Sequence, residues 1–433
     1  MKDTVLGKHR VVSTRLGHCA WVLVAFCVPV ERMITSSVSP LVFELVIVLL
    51  VLSASFGRVS IPSGGRSWYI VMFLCAAGGF ISGFNSSMAA STLTGALLGT
   101  LLGISPFVLS YYIRHSKHFS RNVIVAFLGS QTISACLGLL QLSGNAILGQ
   151  TARLGRINGL AGHPNVLGIM AVIAVLILTG LILSGRVNRV LAVLPLLSIN
   201  TFALIFTGSL SSMLSLGVGL IVLLIAVRAM FRTVLSAIVC FLMVGVLYIG
   251  QGPQELGLAT VVTDRIDVVT GNSDSGTASL DVREQTYAHA WNYIMNESWF
   301  VGVGMDGMNA GTFDGFTVVH NFLLRSWYQG GFLLFLAAII VTGNALLLIG
   351  RSLRYKRVPL GGAVLAALAT FSATAAFYTQ YQYWLPVLFI FALQQVKLPT
   401  NRKENDRKAI AYGKGTLPHG VHAPTPGSYQ KSR

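Results

Sequence analysis

Residues 164–184 read PNVLGIMAVIAVLILTGLILS. These twenty-one residues carry no charged side chain. A helix needs about 20 mostly apolar residues to cross the hydrocarbon core of a bilayer. The stretch is apolar on every side, so it has no face to offer water. Arg153 and Arg156 stand before it, and Arg186 and Arg189 after it. The segment reads as a membrane-spanning helix entered at Pro164, a residue suited to a first helical position.

The pattern recurs along the chain. Apolar segments occupy 17–34, 40–56, 67–84, 90–112, 121–143, 164–184, 187–207, 209–227, 233–250, 319–349, 358–378 and 380–396. The predicted fold class is therefore an all-α polytopic membrane protein with about twelve transmembrane helices. Segments 187–207 and 209–227 can also be read as one. Segment 319–349 is too long for one simple crossing, so its first turns are expected at the membrane surface. The bulk numbers agree: of 433 residues, 54% are hydrophobic and 10% charged, against about a quarter charged in soluble domains.

The net charge of +17 would suggest nucleic acid in a soluble protein. Here the basic residues lie in short runs between spans, as positive-inside topology requires. With both termini cytoplasmic, 25 of the 31 Lys and Arg fall inside and 6 outside. Nine of the fourteen acids fall in 251–318. The predicted organisation is a nine-span bundle over 1–250, an extracytoplasmic loop over 251–318, a three-span bundle over 319–396 and a basic, disordered cytoplasmic tail over 397–433. Cys19, Cys27, Cys75, Cys136 and Cys240 all sit in apolar stretches, with no CxxC pair. That excludes a disulfide framework or zinc site from the expectations. The first span is followed by further spans, so it does not read as a cleaved signal peptide. No internal repeat is visible.

The six outside arginines run against the bias and ask for a reason. Arg32 stands beside Glu31 at a span end and reads as an interfacial pair. Arg153 and Arg156 lie in Arg153-Leu-Gly-Arg156-Ile-Asn-Gly-Leu-Ala-Gly-His163-Pro164-Asn165, directly before a helix N-terminus. Guanidinium groups and helix N-termini both attract anions, phosphates above all. Around 281–295, Asp281 with Glu284 reads as a helix start. Arg283, Tyr287, Ala290 and Ile294 then share one stripe, with Trp291 alongside. The pattern predicts a helix on the membrane surface with Arg283 aimed inward. Gly302-Val-Gly304-Met-Asp-Gly307 matches a dinucleotide fingerprint by letter, but no βαβ unit surrounds it. Its glycines are expected to form a tight turn. His320-Asn321 opens the long apolar segment, with Arg325 one turn on and Gly330-Gly331 beyond. A neutral imidazole there suits a general base. Glu44, an acid within the second span, has no assigned role.

Three of these stretches resemble the O-antigen ligase and polymerase superfamily. Arg156-Ile-Asn-Gly159…Pro164-Asn165 is similar to its Arg-x-x-Gly…Pro-Asn segment. Arg283…Trp291 followed by Gly302-Val-Gly304 is similar to the Arg…Trp…Gly-x-Gly of its large outer loop. His320-Asn321…Gly330-Gly331 is similar to the His-Asn…Gly that closes that loop. Thr207-Gly-Ser209 resembles a family turn in which Ser is usually followed by Arg; Leu210 departs from that pattern. The resemblance covers roughly 150–350.

It implies a fold like the C-type glycosyltransferases and a metal-independent, cofactor-free, inverting glycosyl transfer outside the bacterial plasma membrane. The implied donor is a polyprenyl-diphosphate-linked glycan. The implied acceptor is a sugar hydroxyl on a second lipid-linked glycan, a glycolipid or another acceptor. Polysaccharide assembly proteins are the further partners it suggests. In site terms it implies catalytic His320 and Arg283, diphosphate binding by Arg156, Arg153 and Arg325, and support from Asn165 and Asn321. The loop aromatics Tyr287, Trp291, Trp299 and Phe300 are read as interfacial anchors, with sugar stacking as the alternative. The rival readings are a multi-pass transporter, a flippase of lipid-linked glycans and a non-catalytic scaffold. None of these requires the outer Arg and His set.

Overall fold

The computed structural model describes residues 2–35, 46, 65–116, 118–152, 155–183, 190–227, 277–307, 311–355, 358–375 and 381–395. Its twelve α-helices in this range are α1 (Lys2–Cys27), α2 (Glu31–Thr35), α3 (Arg66–Ser82), α4 (Met88–His115), α5 (Phe119–Leu140) and α6 (Pro164–Leu183). They continue with α7 (Val190–Phe206), α8 (Leu210–Val227), α9 (Thr277–Asn296), α10 (Phe322–Tyr355), α11 (Pro359–Ser372) and α12 (Tyr381–Gln395). No strand is formed among the described residues; two isolated bridges are the only extended pairings there. Chain contacts group Met1–Val396 into one compact unit and Lys397–Arg433 into another, which lies outside the described residues.

Six helices among the described residues are long and apolar enough to cross a membrane, and four shorter apolar ones run over Arg15–Val30, Leu191–Phe206, Pro359–Ser372 and Gln382–Leu393. These ten coincide with ten of the apolar segments of the sequence. The expected spans 40–56, which holds Glu44, and 233–250 lie outside the described residues apart from Val46. The sequence left 187–227 open as one segment or two. The chain turns at Thr207–Ser209, with Gly208 at φ +56, and so makes α7 and α8.

The opening stretch is the centre of the bundle. From Val166 to Thr179 every residue of α6 is buried, the outcome required of a helix apolar on all sides. It packs against α7, α8 and α11. Where helices come closest, side chains are absent. A Cβ on Gly95 of α4 would lie 2.6 Å from the Cys75 carbonyl oxygen of α3, the small-residue contact that lets apolar helices approach. Between α5 and α7 the link is polar: Gln131 Nε2 donates to Asn200 Oδ1 at 3.2 Å, and Asn200 Nδ2 to Thr132 Oγ1 at 3.1 Å.

Helix α10 is the longest element among the described residues and is broken. Gly331 sits at φ 67, ψ −166 inside it. The break frees carbonyls that the next turn would have used. Val303 N donates to the Tyr328 oxygen at 2.8 Å and Gly304 N to the Gln329 oxygen at 2.9 Å, while Phe332 N donates back to Phe300 O at 3.0 Å. Space for this exchange exists only without side chains. A Cβ on Gly331 would lie 2.0 Å from Phe300 O, and one on Gly302 (φ +79) would lie 2.5 Å from Gly331 N. The expectation of a simple tight turn at 302–307 is corrected here. The segment runs along the break and replaces the missing helical hydrogen bonds. It then reaches α4, where Met305 N donates to Ser91 Oγ at 3.0 Å and Ser87 N to Asp306 Oδ2 at 3.2 Å.

Helix α9 lies outside the apolar set. Ala290 and Ile294 are fully buried against Val319 and Tyr328, with Tyr287 alongside, and Trp291 stays half exposed. The predicted inward stripe is the observed one. The predicted start is not: α9 begins at Thr277, so Asp281 lies inside it and is not its cap. No Gly or Pro between 277 and 281 stops the helix from extending back.

Gly331→Ala should lower the thermal stability of the detergent-solubilised protein by about 2–5 kcal/mol, combining left-handed backbone strain with steric overlap. Gly343→Ala, in the same helix where an added Cβ would meet nothing within 4 Å beyond its own helix, should be neutral or stabilising by up to about 1 kcal/mol. Equal melting temperatures for the two variants would show that the break is not required.

Candidate active site

Two groups of predicted site residues form at one end of the bundle. Gly180, late in α6, meets Leu360, early in α11. The start of α6 and the end of α11 therefore share the other end. Asn321 Nδ2 donates to Ala373 O, just past α11, at 3.3 Å. This puts the approach to α6, with Arg156, at the same end as His320 and the first turns of α10. Arginine exposure follows the same division. Among those with described side chains, Arg15, Arg66, Arg114, Arg121, Arg351 and Arg354 lie at the far end and are exposed. Arg156 and Arg283 at the near end are half-buried, and Arg325 is buried.

The first group is built on the loop between α5 and α6. Gln141 Oε1 accepts from Asn158 N and Gly159 N, both at 3.1 Å, and Ser134 Oγ accepts from Leu160 N at 3.0 Å. Ile157, fully buried, donates its N–H to Phe206 O at the end of α7. With the backbone pinned on both sides, the Arg156 side chain has little freedom. Its Nε donates to Thr207 O at 2.6 Å and its Nη2 to Asn165 Oδ1 at 2.9 Å. The guanidinium is thus held between the C-terminal carbonyl end of α7, which favours a cation, and the first turn of α6. Asn165 N in turn donates to His163 Nδ1 at 3.1 Å. Arg156 and Asn165, both candidates from the sequence, are brought together. Arg153 lies outside the described residues.

The second group surrounds His320. Its Nδ1 lies 2.7 Å from Val318 O. A carbonyl can only accept, so Nδ1 carries the proton and Nε2 keeps its lone pair when the ring is neutral. Burial lowers the imidazole pKa most; the Arg283 and Arg325 charges lower it further, and the Val318 bond opposes them in part. The neutral form therefore persists to lower pH than in a free histidine.

Arg283 reaches this group through α9. Tyr287, one turn after it, donates its hydroxyl to His320 O at 3.0 Å. Burial raises the Tyr287 pKa and the Arg283 charge lowers it, so the phenol and the imidazole both sense one guanidinium. Asn321 caps α10, accepting from Leu324 N at 3.0 Å. Arg325, 6% exposed, places its Nε 2.7 Å from Gln329 Oε1. Gln329 is also the residue whose carbonyl takes the Gly304 N–H at the break.

The sequence reading missed three working parts. Tyr287 was read as stripe and anchor, yet its hydroxyl holds the backbone of His320. The Thr207 carbonyl was unmarked, because a backbone acceptor has no residue signature. Gln329 had no signal beyond its place four residues after Arg325, the spacing at which helical side chains meet.

Residues 195–339 match the family model described as O-antigen ligase. The match runs from α7 to the first turns after the α10 break, and includes Thr207, Arg283, His320, Asn321 and Arg325. Arg156 lies before it but binds to a carbonyl within it. No curated protein matches the chain. This segment of the membrane protein is thus similar to the O-antigen ligase family, in line with the resemblance of its motifs to the O-antigen ligase and polymerase superfamily.

Proposed function

We propose that this chain is an inverting glycosyltransferase that moves a glycan from a polyprenyl diphosphate carrier to a sugar hydroxyl outside the bacterial plasma membrane. The observation that carries the reading is His320: a half-buried imidazole whose Nδ1 is bonded to the Val318 carbonyl, which leaves Nε2 as the acceptor of the neutral ring, with its pKa lowered by burial and by two arginines. In the proposed step His320 Nε2 takes the proton of the acceptor hydroxyl as its oxygen attacks the anomeric carbon. The C–O bond to the carrier breaks, and the electron pair leaves with the diphosphate. Negative charge grows on that leaving group, and Arg156 and Arg283 neutralise it, so the chemistry needs no metal. Arg325 acts on the same charge from its buried position beside Gln329. Asn165 orients Arg156, Asn321 fastens the start of α10, and Arg153 is retained as a further diphosphate contact.

The reading places the near end of the bundle outside and both termini in the cytoplasm, with twelve spans in all. It is supported by the exposed arginines gathered at the far end, where positive-inside bias expects them.

The direct test is deletion of the gene in the source organism, with surface and lipid-linked glycans run on gels. Complementation uses wild type, His320→Ala and Arg283→Ala at matched membrane levels. Single repeat units in place of a ladder identify a polymerase; long chains retained on the carrier identify a ligase. Loss of general base catalysis should lower turnover about 10²–10⁴-fold in His320→Ala. Loss of a leaving-group donor should lower it about 10²–10³-fold in Arg283→Ala. Full complementation by both variants would end the catalytic assignment.

The pH profile is a second test. A base works deprotonated, so activity falls as pH drops through its pKa. With His320 lowered from its ordinary value of 6.5, the acid limb of kcat/KM should lie below pH 6.5. Arg283→Gln removes one charge that lowers it and should move the limb up toward 6.5. A limb that does not move in this variant would exclude His320 as the titrating base.

A further inference from the structure

Just before His320 the chain makes a small hairpin, closed by the Gly311–Val318 bridge. Thr312 N donates to Thr317 O at 3.0 Å, and Gly315 N to Thr312 O at 3.0 Å. Thr312 Oγ1 adds a bond to Thr317 O at 2.8 Å. Asp314 Oδ1 accepts from Phe316 N at 2.9 Å and Thr317 N at 2.7 Å, and Asp314 Oδ2 accepts from the Thr317 hydroxyl. A Cβ on Gly311 would lie 2.1 Å from the Gly315 backbone, so the two sides touch. The base of the hairpin is tied to α10 by Tyr328, whose hydroxyl donates to Gly311 O at 3.2 Å.

This dense bonding holds two apolar rings in the open. Phe316 is 89% exposed, the most exposed large apolar side chain among the described residues, and Phe313 is 46% exposed. Burying such a ring is worth about 1.5–3 kcal/mol, and Phe316 forgoes almost all of it, Phe313 about half. Between them sits the Asp314 carboxylate. Exposed aromatic rings and a neighbouring carboxylate on one short tip suit the two sides of a pyranose: an apolar face of C–H groups and an edge of hydroxyl donors. The location selects the molecule. The second side of the hairpin runs directly into His320, whose ring is bonded to the Val318 carbonyl. From Phe316 to His320 the chain spans at most about 14 Å, the reach of a short oligosaccharide.

We propose that the Thr312–Thr317 tip is the platform for the acceptor glycan, with Phe313 and Phe316 stacking on sugar faces and Asp314 accepting sugar hydroxyls. This rests on the transferase reading, in which His320 receives the acceptor. Rigid attachment of the tip to the His320 backbone then sets which hydroxyl meets Nε2.

The test uses full-length protein in nanodiscs and, as probe, the lipid-free oligosaccharide repeat released by mild acid from the organism's own surface polysaccharide. Saturation-transfer NMR reads binding to wild type, His320→Ala, Phe313→Ala/Phe316→Ala and Phe316→Trp. Wild type, His320→Ala and Phe316→Trp should bind, and the double alanine variant should bind about tenfold more weakly or worse. Both rings are exposed, so a matched melting temperature checks that the fold is kept. Equal binding by the double variant overturns the platform. So does quenching of the Phe316→Trp fluorescence by nitroxide lipids, which would make the tip a membrane anchor. If the tip binds but gene deletion leaves the glycans unchanged, the transferase reading fails, and with it the acceptor role, while glycan binding by the tip is kept. If deletion alters the glycans and the double variant binds normally, only the platform fails.

Discussion

Backbone carbonyls in an apolar bundle must find a donor, because an unpaired one costs about as much as several good contacts return. In this protein that rule acts at Gly331. Breaking α10 there opens the Tyr328 and Gln329 carbonyls, and the amides of Val303 and Gly304 close them. The repair needs two chains at backbone contact, so Gly302 and Gly331 face each other without side chains. Everything near His320 depends on this join. It separates the first turns of α10, which carry Asn321 and Arg325, from the long apolar run that follows. It also brings the end of the 277–307 segment onto α4 through Met305 and Asp306.

On that frame the electrostatics are simple. A histidine near two arginines would be a poor arrangement if it had to be charged. It is a good one if the ring must stay neutral and meet a substrate that brings the negative charge. Arg283 is carried on α9 and Arg325 on α10, and the Tyr287 hydroxyl joins the two elements through the His320 carbonyl. Arg156 arrives separately, held by a helix-end carbonyl and by Asn165.

The matched region and the folded site have different limits. Residues 195–339 contain His320, Arg283 and the break, while the Arg156 loop precedes them. The loop is nevertheless joined to the matched region twice, through Ile157 to Phe206 and through Arg156 to Thr207.

Much of this was determined by the sequence alone. Long charge-free segments can only be helices in apolar surroundings, so ten apolar helices were legible with their edges to within a few residues. The inward stripe of α9 followed from 3.6-residue periodicity, and the out-of-place arginines and His320 were marked by the charge bias itself. Tertiary structure decided what periodicity and composition do not encode. The start of α9 moved back a turn because nothing local stopped it. The glycines at 302–304, expected to form a turn, join Gly330 and Gly331 at the helix break. Tyr287, Gln329 and the Thr207 carbonyl acquired roles as partners. The physical reason is common to the glycine joint, Tyr287 and the Thr207 carbonyl. A span is specified by transfer of its own side chains out of water, a local property summed along the chain. A hydrogen bond between residues 25 to 51 positions apart is specified only when packing brings donor and acceptor together.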